Sequence, residues 1–254
     1  MKSIIVPVIV TYNLDFKKFF KLNGLSNNVI FSDNSLMKSD DERVRRFNLI
    51  RNKVNLGYGG GANLGIRQAL KSGAEWVIIM NQDLLITKDA YEQFIDKLKK
   101  TDAAIVGPFG GGFDIRRWTT ILPSEQIDYI SGAFMAIHRD VIDKIGYFYE
   151  PYFMYYEDAD YCVRAKKAGF PLLKREIKGI VHHNNPSLGK GSSLHEYYLA
   201  RNHLLFVERE APLSVKVREY VRLPKTLVEY SIAKNYGGLE GIKDYLLRKF
   251  HKKL

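Results

Sequence analysis

Carboxylates and amides stand where apolar runs of this chain end. Trp76-Val77-Ile78-Ile79-Met80 runs straight into Asn81-Gln82-Asp83, and Val29-Ile30-Phe31 into Ser32-Asp33-Asn34-Ser35. A short apolar run that stops on polar residues reads as a buried strand delivering them to the edge of a sheet, where α/β proteins place their ligand crevice. Asp83 is then positioned for chemistry. The competing reading makes it the N-cap of a helix starting near Thr87-Lys88-Asp89. A second acidic pair, Glu157-Asp158, follows the aromatic stretch from Phe148 to Tyr156. Aromatic walls around a carboxylate are the setting in which it becomes a general base. The plainer alternative is a pair of first-turn acids, complementing a helix that closes on Lys166-Lys167 and Gly169. His182-His183 ends a late apolar run. Neighbours on a strand point oppositely, so one of the two could be a metal ligand, although a lone histidine is more often structural.

The elements that must carry these residues follow in order. Ile4–Val10 is an apolar, β-branched strand that breaks at Thr11-Tyr12-Asn13. Phe16–Leu22 is a short helix. Asn55-Leu56-Gly57-Tyr58-Gly59-Gly60-Gly61-Ala62-Asn63-Leu64-Gly65 reads as a glycine-rich loop leading into a helix over Ile66–Lys71. Such a loop permits close backbone approach, and the free amides of the following turn favour an anion. A tight helix-entry turn is the alternative. The loop lacks both the Lys-Ser/Thr ending of a P-loop and the Gly-x-Gly-x-x-Gly spacing of a dinucleotide site. Ala90–Lys100 is an amphipathic helix, Ala103–Val106 a strand and 107–112 a loop, a strand–helix cadence that argues a mainly parallel sheet. Ile127–His138 reads as a strand whose Gly132 lets a ligand approach. Glu157–Ala168 is a helix, 172–181 further strand, and Glu196–Glu210 a helix carrying Tyr197, Tyr198, Arg201 and Asn202.

Length and composition bound the remaining choices. The 254 residues are 46% hydrophobic and 26% charged, ordinary for a globular protein, and no apolar run is long enough to span a bilayer. A single cysteine, Cys162, excludes an internal disulfide and points to a reducing cytoplasm. The net charge of +11 calls for a polyanionic neighbour. Lys216 to Leu254 interleaves cations with Tyr, Leu, Val and Phe, as in basic helices that lie on an anionic membrane. A solvated helical face is the other reading.

Taken together, the motifs resemble the family 2 nucleotide-sugar glycosyltransferases of GT-A fold, and among them the bacterial rhamnosyltransferase and galactofuranosyltransferase-like group. The resemblance covers roughly residues 4–210 and rests on the order and spacing of eight motifs: 10–13, 32–35, 55–63, 81–83, 131–133, 157–164, 182–183 and 197–202. It implies an α/β fold with a mixed, mainly parallel sheet. A nucleotide-sugar half over 1–112 and an acceptor half over 113–210 form one domain, followed by a basic helical extension over 211–254. It implies that Thr11 and Asn13 line the nucleotide pocket, that Tyr12 flanks the base and that Asp33 accepts a hydrogen bond from it. Asn55, Gly57 and Asn63 would wall the ribose and diphosphate. Asn81-Gln82-Asp83 occupies the Asp-x-Asp position, so that Asp83 would bind Mn²⁺ or Mg²⁺ together with His182, preferred over His183 on motif position. Asn81 departs from the acid expected there. Asp158 would be the catalytic base, Glu157 its neighbour, and Gly132 part of the sugar site. Arg201 would meet the diphosphate when the 187–193 loop closes, and Arg164 would orient the acids or meet the phosphates.

The expected protein is therefore an inverting, metal-dependent glycosyltransferase. It would take a dTDP- or UDP-sugar and a lipid-linked saccharide acceptor, at the cytoplasmic face of a bacterial membrane. Two rivals are weaker. A nucleic-acid-binding module would suit the charge, but the acids at Asp33, Asp83, Glu157 and Asp158 would repel phosphate in the absence of a metal. A nucleotidyltransferase would need a glycine-rich, Arg- and Lys-containing signature near the N-terminus, and Val6–Asn13 has none.

Overall fold

The computed structural model describes residues 4–23, 25, 28–35, 47–182, 191–250 and 253. In chain order the first half contains β1 (Ile5–Thr11), α1 (Phe16–Leu22), β2 (Ile30–Asp33), β3 (Asn48–Arg51), α2 (Gly57–Lys71), β4 (Trp76–Asn81), β5 (Leu84–Ile86), α3 (Lys88–Leu98), β6 (Ile105–Gly107) and β7 (Gly110–Phe113). The second half contains β8 (Thr120–Ile121), β9 (Tyr129–Ile130), β10 (Phe134–His138), α4 (Arg139–Ile145), α5 (Glu157–Lys167), β11 (Leu172–Lys174), β12 (Ile180–His182), α6 (Ser193–Glu210), α7 (Leu213–Ile232) and α8 (Tyr236–Leu246).

The central sheet runs β11-β6-β10-β4-β1-β2-β3. Its pairs are parallel except those made by β10, which runs against both β4 and β6. This is the mixed, mainly parallel sheet expected. Side-chain alternation along each strand feeds two cores. Val6, Val8 and Val10 of β1, with Val77 and Ile79 of β4, pack in the same cluster as Ala62 and Ile66 of α2. Ile9, Ile78 and Met80 go to the opposite face with Phe94 of α3.

The glycine-rich stretch differs from its sequence reading. It is not a loop: α2 begins at Gly57, so Gly59, Gly60 and Gly61 lie inside the helix. Glycine is a poor helix former, and packing explains its presence. A Cβ at Gly65 would stand 2.1 Å from Val8 Cγ1, and one at Gly61 2.8 Å from Val10 Cγ1. These glycines let α2 lie directly on β1, which fixes the height of the sheet edge beneath the site.

Three further readings change. Asp83 does not cap α3, because β5 intervenes and the Thr87 side chain accepts from Ala90 N–H. The 127–138 stretch is two strands, β9 and β10, broken at 131–133, and Gly110–Phe113 is strand rather than loop. The strands of 172–181 do not pair with one another: β11 joins β6 in the main sheet, and β12 runs antiparallel to β5. The 211–254 segment folds back on the domain, with Ile242 and Tyr245 of α8 buried in the cluster that holds Leu204 and Phe206 of α6. Among the described residues no helix is long and apolar enough to cross a membrane.

Candidate active site

Strand register assembles the site. Thr11 pairs with Asp33 and Val10 with Asn81, so β1, β2 and β4 end at one edge, and β10 starts there with Phe134 opposite Met80. Thr11 Oγ1 donates to Asp33 Oδ1 at 3.1 Å, and Ser35 N–H donates to the same oxygen. Both Thr11 and Asp33 are buried, whereas Tyr12 is exposed. The Gln82 side-chain amide clamps the Tyr12 backbone, accepting from its N–H at 2.8 Å and donating to its carbonyl at 3.1 Å. Asn13, in the left-handed region at φ 50°, donates its N–H to Ser35 Oγ. Thr11, Tyr12, Asn13 and Asp33 thus share one rim, and Gln82 ties that rim to the end of β4.

Asp83 follows β4 directly. Its Oδ1 lies 3.2 Å from His182 Nε2, and Asn81 Nδ2 lies 3.4 Å from the same ring nitrogen. The Asp83 and His182 side chains are about a quarter exposed, at 28% and 23%, so the pair opens to the crevice. Two donors bound side by side on an octahedral cation at roughly 2.1 Å each would stand about 3 Å apart. The carboxylate–imidazole pair fits that requirement in spacing and in donor type. Among the described residues, no group of three or more His, Cys, Asp or Glu forms a metal cluster. His183 lies outside the described residues.

Across the crevice, Asp158 is half-buried at the start of α5. Gly132 N–H donates to its Oδ2 at 2.9 Å and Ala159 N–H to its Oδ1 at 2.8 Å, fixing the carboxylate while each oxygen keeps a second lone pair. The expected approach of a ligand to Gly132 is already taken. A Cβ there would meet Tyr58 Cε1 at 3.2 Å and Asp158 Cβ at 3.4 Å, and the Tyr58 hydroxyl donates to the Gly132 carbonyl. Gly132 therefore positions the Asp158 carboxylate. Burial raises the Asp158 pKa above the ordinary aspartate value, against the lowering effect of its backbone donors. Glu157 is buried beside it, with Oε2 meeting no hydrogen-bond partner among the described residues, and burial followed by the Asp158 charge pushes its pKa up to about 8.

Tyr58 was not singled out in the sequence, yet it joins the two sides. Its pKa is raised well above the ordinary tyrosine value, first by burial and then by the charges of Glu157, Asp158 and Asp83, so its hydroxyl feels the field of all three acids. The available signal was a single large side chain among the glycines of 57–61.

The loop feeding α5 is held in an unusual shape. Phe153, Tyr155 and Tyr156 all have positive φ, between 64° and 72°, a conformation that costs non-glycine residues free energy and needs external support. Asn202 of α6 supplies it by donating to the carbonyls of Tyr152, Met154 and Tyr155 at 2.9, 2.6 and 3.0 Å. Arg201 corrects its sequence reading. It is fully buried, donates to the carbonyls of Pro151 and Tyr152, and packs over the Tyr198 ring. A guanidinium so engaged is an organiser of this loop and does not reach into the crevice for a diphosphate. Arg164 is likewise taken up by Asp160 and the carbonyls of Ile145 and Tyr147, and not by the Glu157-Asp158 pair it was expected to orient.

Asn55, Gly57 and Asn63 also serve the scaffold. Asn55 Oδ1 accepts from Gly57 N–H, and Tyr58 N–H donates to the Phe153 carbonyl, so the first amides of α2 already have acceptors. A Cβ on Gly57 would lie 2.2 Å from that same carbonyl oxygen. Asn63 is buried and bound to the Phe148 backbone in both directions and to Glu150. These residues form the wall behind the crevice, and the 153 loop covers the first amides of α2, where an anion was expected.

The sequence and the fold that carry this site are matched by known proteins. Residues 29–163 match the family Glycosyl transferase family 2. The chain belongs to that family. It is 25% identical to the low-salt glycan biosynthesis hexosyltransferase Agl10 of Haloferax volcanii, over 75% of this chain and 74% of the relative. It is 26% identical to the dTDP-rhamnosyl transferase RfbF of Shigella flexneri, over 97% of this chain and 94% of the relative. In fold it is similar to the mannosyltransferase PcManGT of Pyrobaculum calidifontis, solved with GDP-Man and Mn²⁺. That likeness has a TM-score of 0.56 at 15% identity and covers 98% of this chain and 75% of the other. The protein is thus a glycosyltransferase of GT-A fold, and membership of this family displaces both the nucleic-acid-binding and the nucleotidyltransferase alternatives.

Proposed function

We propose that this enzyme transfers a sugar with inversion from a dTDP- or UDP-sugar to a hydroxyl of a lipid-linked saccharide, working at the inner face of the cell membrane. The observation that carries this reading is Asp158, held by the amides of Gly132 and Ala159 at the strand edge where the Ala133 carbonyl accepts from Asn81 N–H, two residues before Asp83. Asp158 takes the acceptor hydroxyl's proton as that oxygen bonds to the anomeric carbon, and the bond to the diphosphate breaks with its electrons moving to the leaving oxygen. Inversion follows from a single displacement. Glu157, whose raised pKa of about 8 keeps it protonated near neutrality, offers a hydrogen bond to an acceptor hydroxyl. Thr11, Tyr12, Asn13 and Asp33 frame the nucleotide side.

Asp83 and His182 would hold Mn²⁺ or Mg²⁺. The ion supplies Lewis-acid stabilisation of the charge developing on the diphosphate. With two protein donors, its affinity leans on diphosphate oxygens, so metal without nucleotide binds weakly. The name of the Shigella relative makes dTDP-rhamnose the first donor to test, with UDP-galactofuranose the second. A thermal-shift panel of nucleotide sugars with and without Mn²⁺ is the direct test. Stabilisation by one nucleotide sugar that needs the metal is expected. A uniform absence of shift across dTDP- and UDP-sugars would overturn the donor class.

A further inference from the structure

Helix α7 carries an apolar stripe on its outer side. Leu213, Val217, Val221, Val228 and Ile232 are each 53–78% exposed. At about 3.6 residues per turn they fall within a stripe about 100° wide that runs past Pro224, with Lys216 on one border and Arg218 and the Lys225–Glu229 pair on the other. Single exposed apolar residues are ordinary on a protein surface, but five in register along one helix are not. The opposite side of α7 is already used: Val215 and Glu219 are buried, and Leu223, Leu227 and Tyr230 pack on the main core. Both acids of α7 are paired, Glu219 with Arg117, and Glu229 with Arg222 and Lys225. From Lys216 to the C-terminus the sequence has ten Lys and Arg against four Asp and Glu.

We infer that this face of α7 is the surface on which the protein lies against an anionic lipid bilayer. An amphipathic helix with cations bordering an apolar stripe sinks the stripe to the headgroup–acyl boundary while the cations meet lipid phosphates. Charge selects the occupant, because a second copy of the same face would bring two basic borders together. The inference deepens the membrane location in the proposed function and gives it a geometric basis. Tyr230, on the inner side of α7, packs against the same core cluster as Tyr156, which immediately precedes Glu157-Asp158.

The test is co-sedimentation of the full chain with vesicles of phosphatidylcholine alone or with about one-third phosphatidylglycerol. The assay contains no sugar nucleotide, so its result is independent of whether the donor and acceptor are correctly assigned. Binding to the anionic vesicles that falls at high salt is expected, with a tenfold or greater loss in the Val221→Glu/Val228→Glu variant. Circular dichroism of the variant should match the parent, since both positions are solvent-exposed. Failure of the parent to sediment with anionic vesicles, or undiminished sedimentation of a folded variant, overturns the inference. So does a concentration-dependent dimer in ultracentrifugation that the same substitutions abolish while vesicle binding is absent, which would assign the stripe to a second copy.

Discussion

Asp83 Oδ1 and His182 Nε2 stand 3.2 Å apart although 99 residues separate them in sequence. The two-stranded sheet of β5 and β12 brings them together. Leu84 pairs with His182, Leu85 with Val181 and Ile86 with Ile180, so the residue before β5 meets the residue that ends β12. The pair is therefore fixed by backbone pairing on both sides, which suits a shared ligand.

Asp83→Ala and His182→Ala are each expected to weaken Mn²⁺-dependent binding of the nucleotide sugar on the order of 10²-fold, since each removes one of two protein donors from the cation. Isothermal titration with and without Mn²⁺ checks this. Unchanged affinity in His182→Ala would remove that residue from the ligand set.

Asn202→Ala strips donors from the carbonyls of Tyr152, Met154 and Tyr155 in a loop with three left-handed aromatic residues. A loss of about 3 kcal/mol in urea unfolding is expected, from buried acceptors left unpaired. Turnover should fall more than donor affinity does, because the loop sets Glu157 and Asp158 and not the Asp83–His182 pair. A kcat equal to that of the parent would contradict the positioning role.

Much of the scaffold was legible because its causes are local. Apolar runs ending on Thr11, Asp33 and Asn81 became adjacent strands of one edge, and the acids of 157–160 did open a helix. The misreadings share a different cause. Gly57–Gly65 looks like a loop because glycine lowers helix propensity, and only the close packing of α2 on Val8 and Val10 accounts for the helix. Arg201 and Asn63 are polar residues in promising motifs whose hydrogen-bonding capacity is directed to loop carbonyls and the Phe148–Glu150 segment. A sequence reveals the type of a donor but not which way it faces. Tyr58 was missed for the converse reason: its importance lies in Gly132 and three acids brought to it from elsewhere in the chain.

Glu157 makes stability depend on pH in a stated direction. Its pKa rises from 4.5 to about 8 on folding, so the folded state holds a proton that the unfolded chain has released across that interval. Stability is favoured below pH 4.5 and is progressively lost as the pH climbs toward 8. Glu157→Gln removes this titration, so the variant should gain in Tm relative to the parent as pH rises from 5 to about 8. A Tm difference that stays constant across that range would contradict a proton held on Glu157.

The central claim is that Asp158 is the general base of an inverting transfer, and Asp158→Asn tests it most directly. The amide keeps the size of the side chain and an acceptor for one of the Gly132 and Ala159 donors, but it cannot take a proton at neutral pH. Transfer measured with saturating nucleotide sugar and Mn²⁺ is expected to fall on the order of 10³-fold while donor binding by titration stays within a fewfold of the parent. Turnover equal to that of the parent in a folded Asp158→Asn variant would contradict the account.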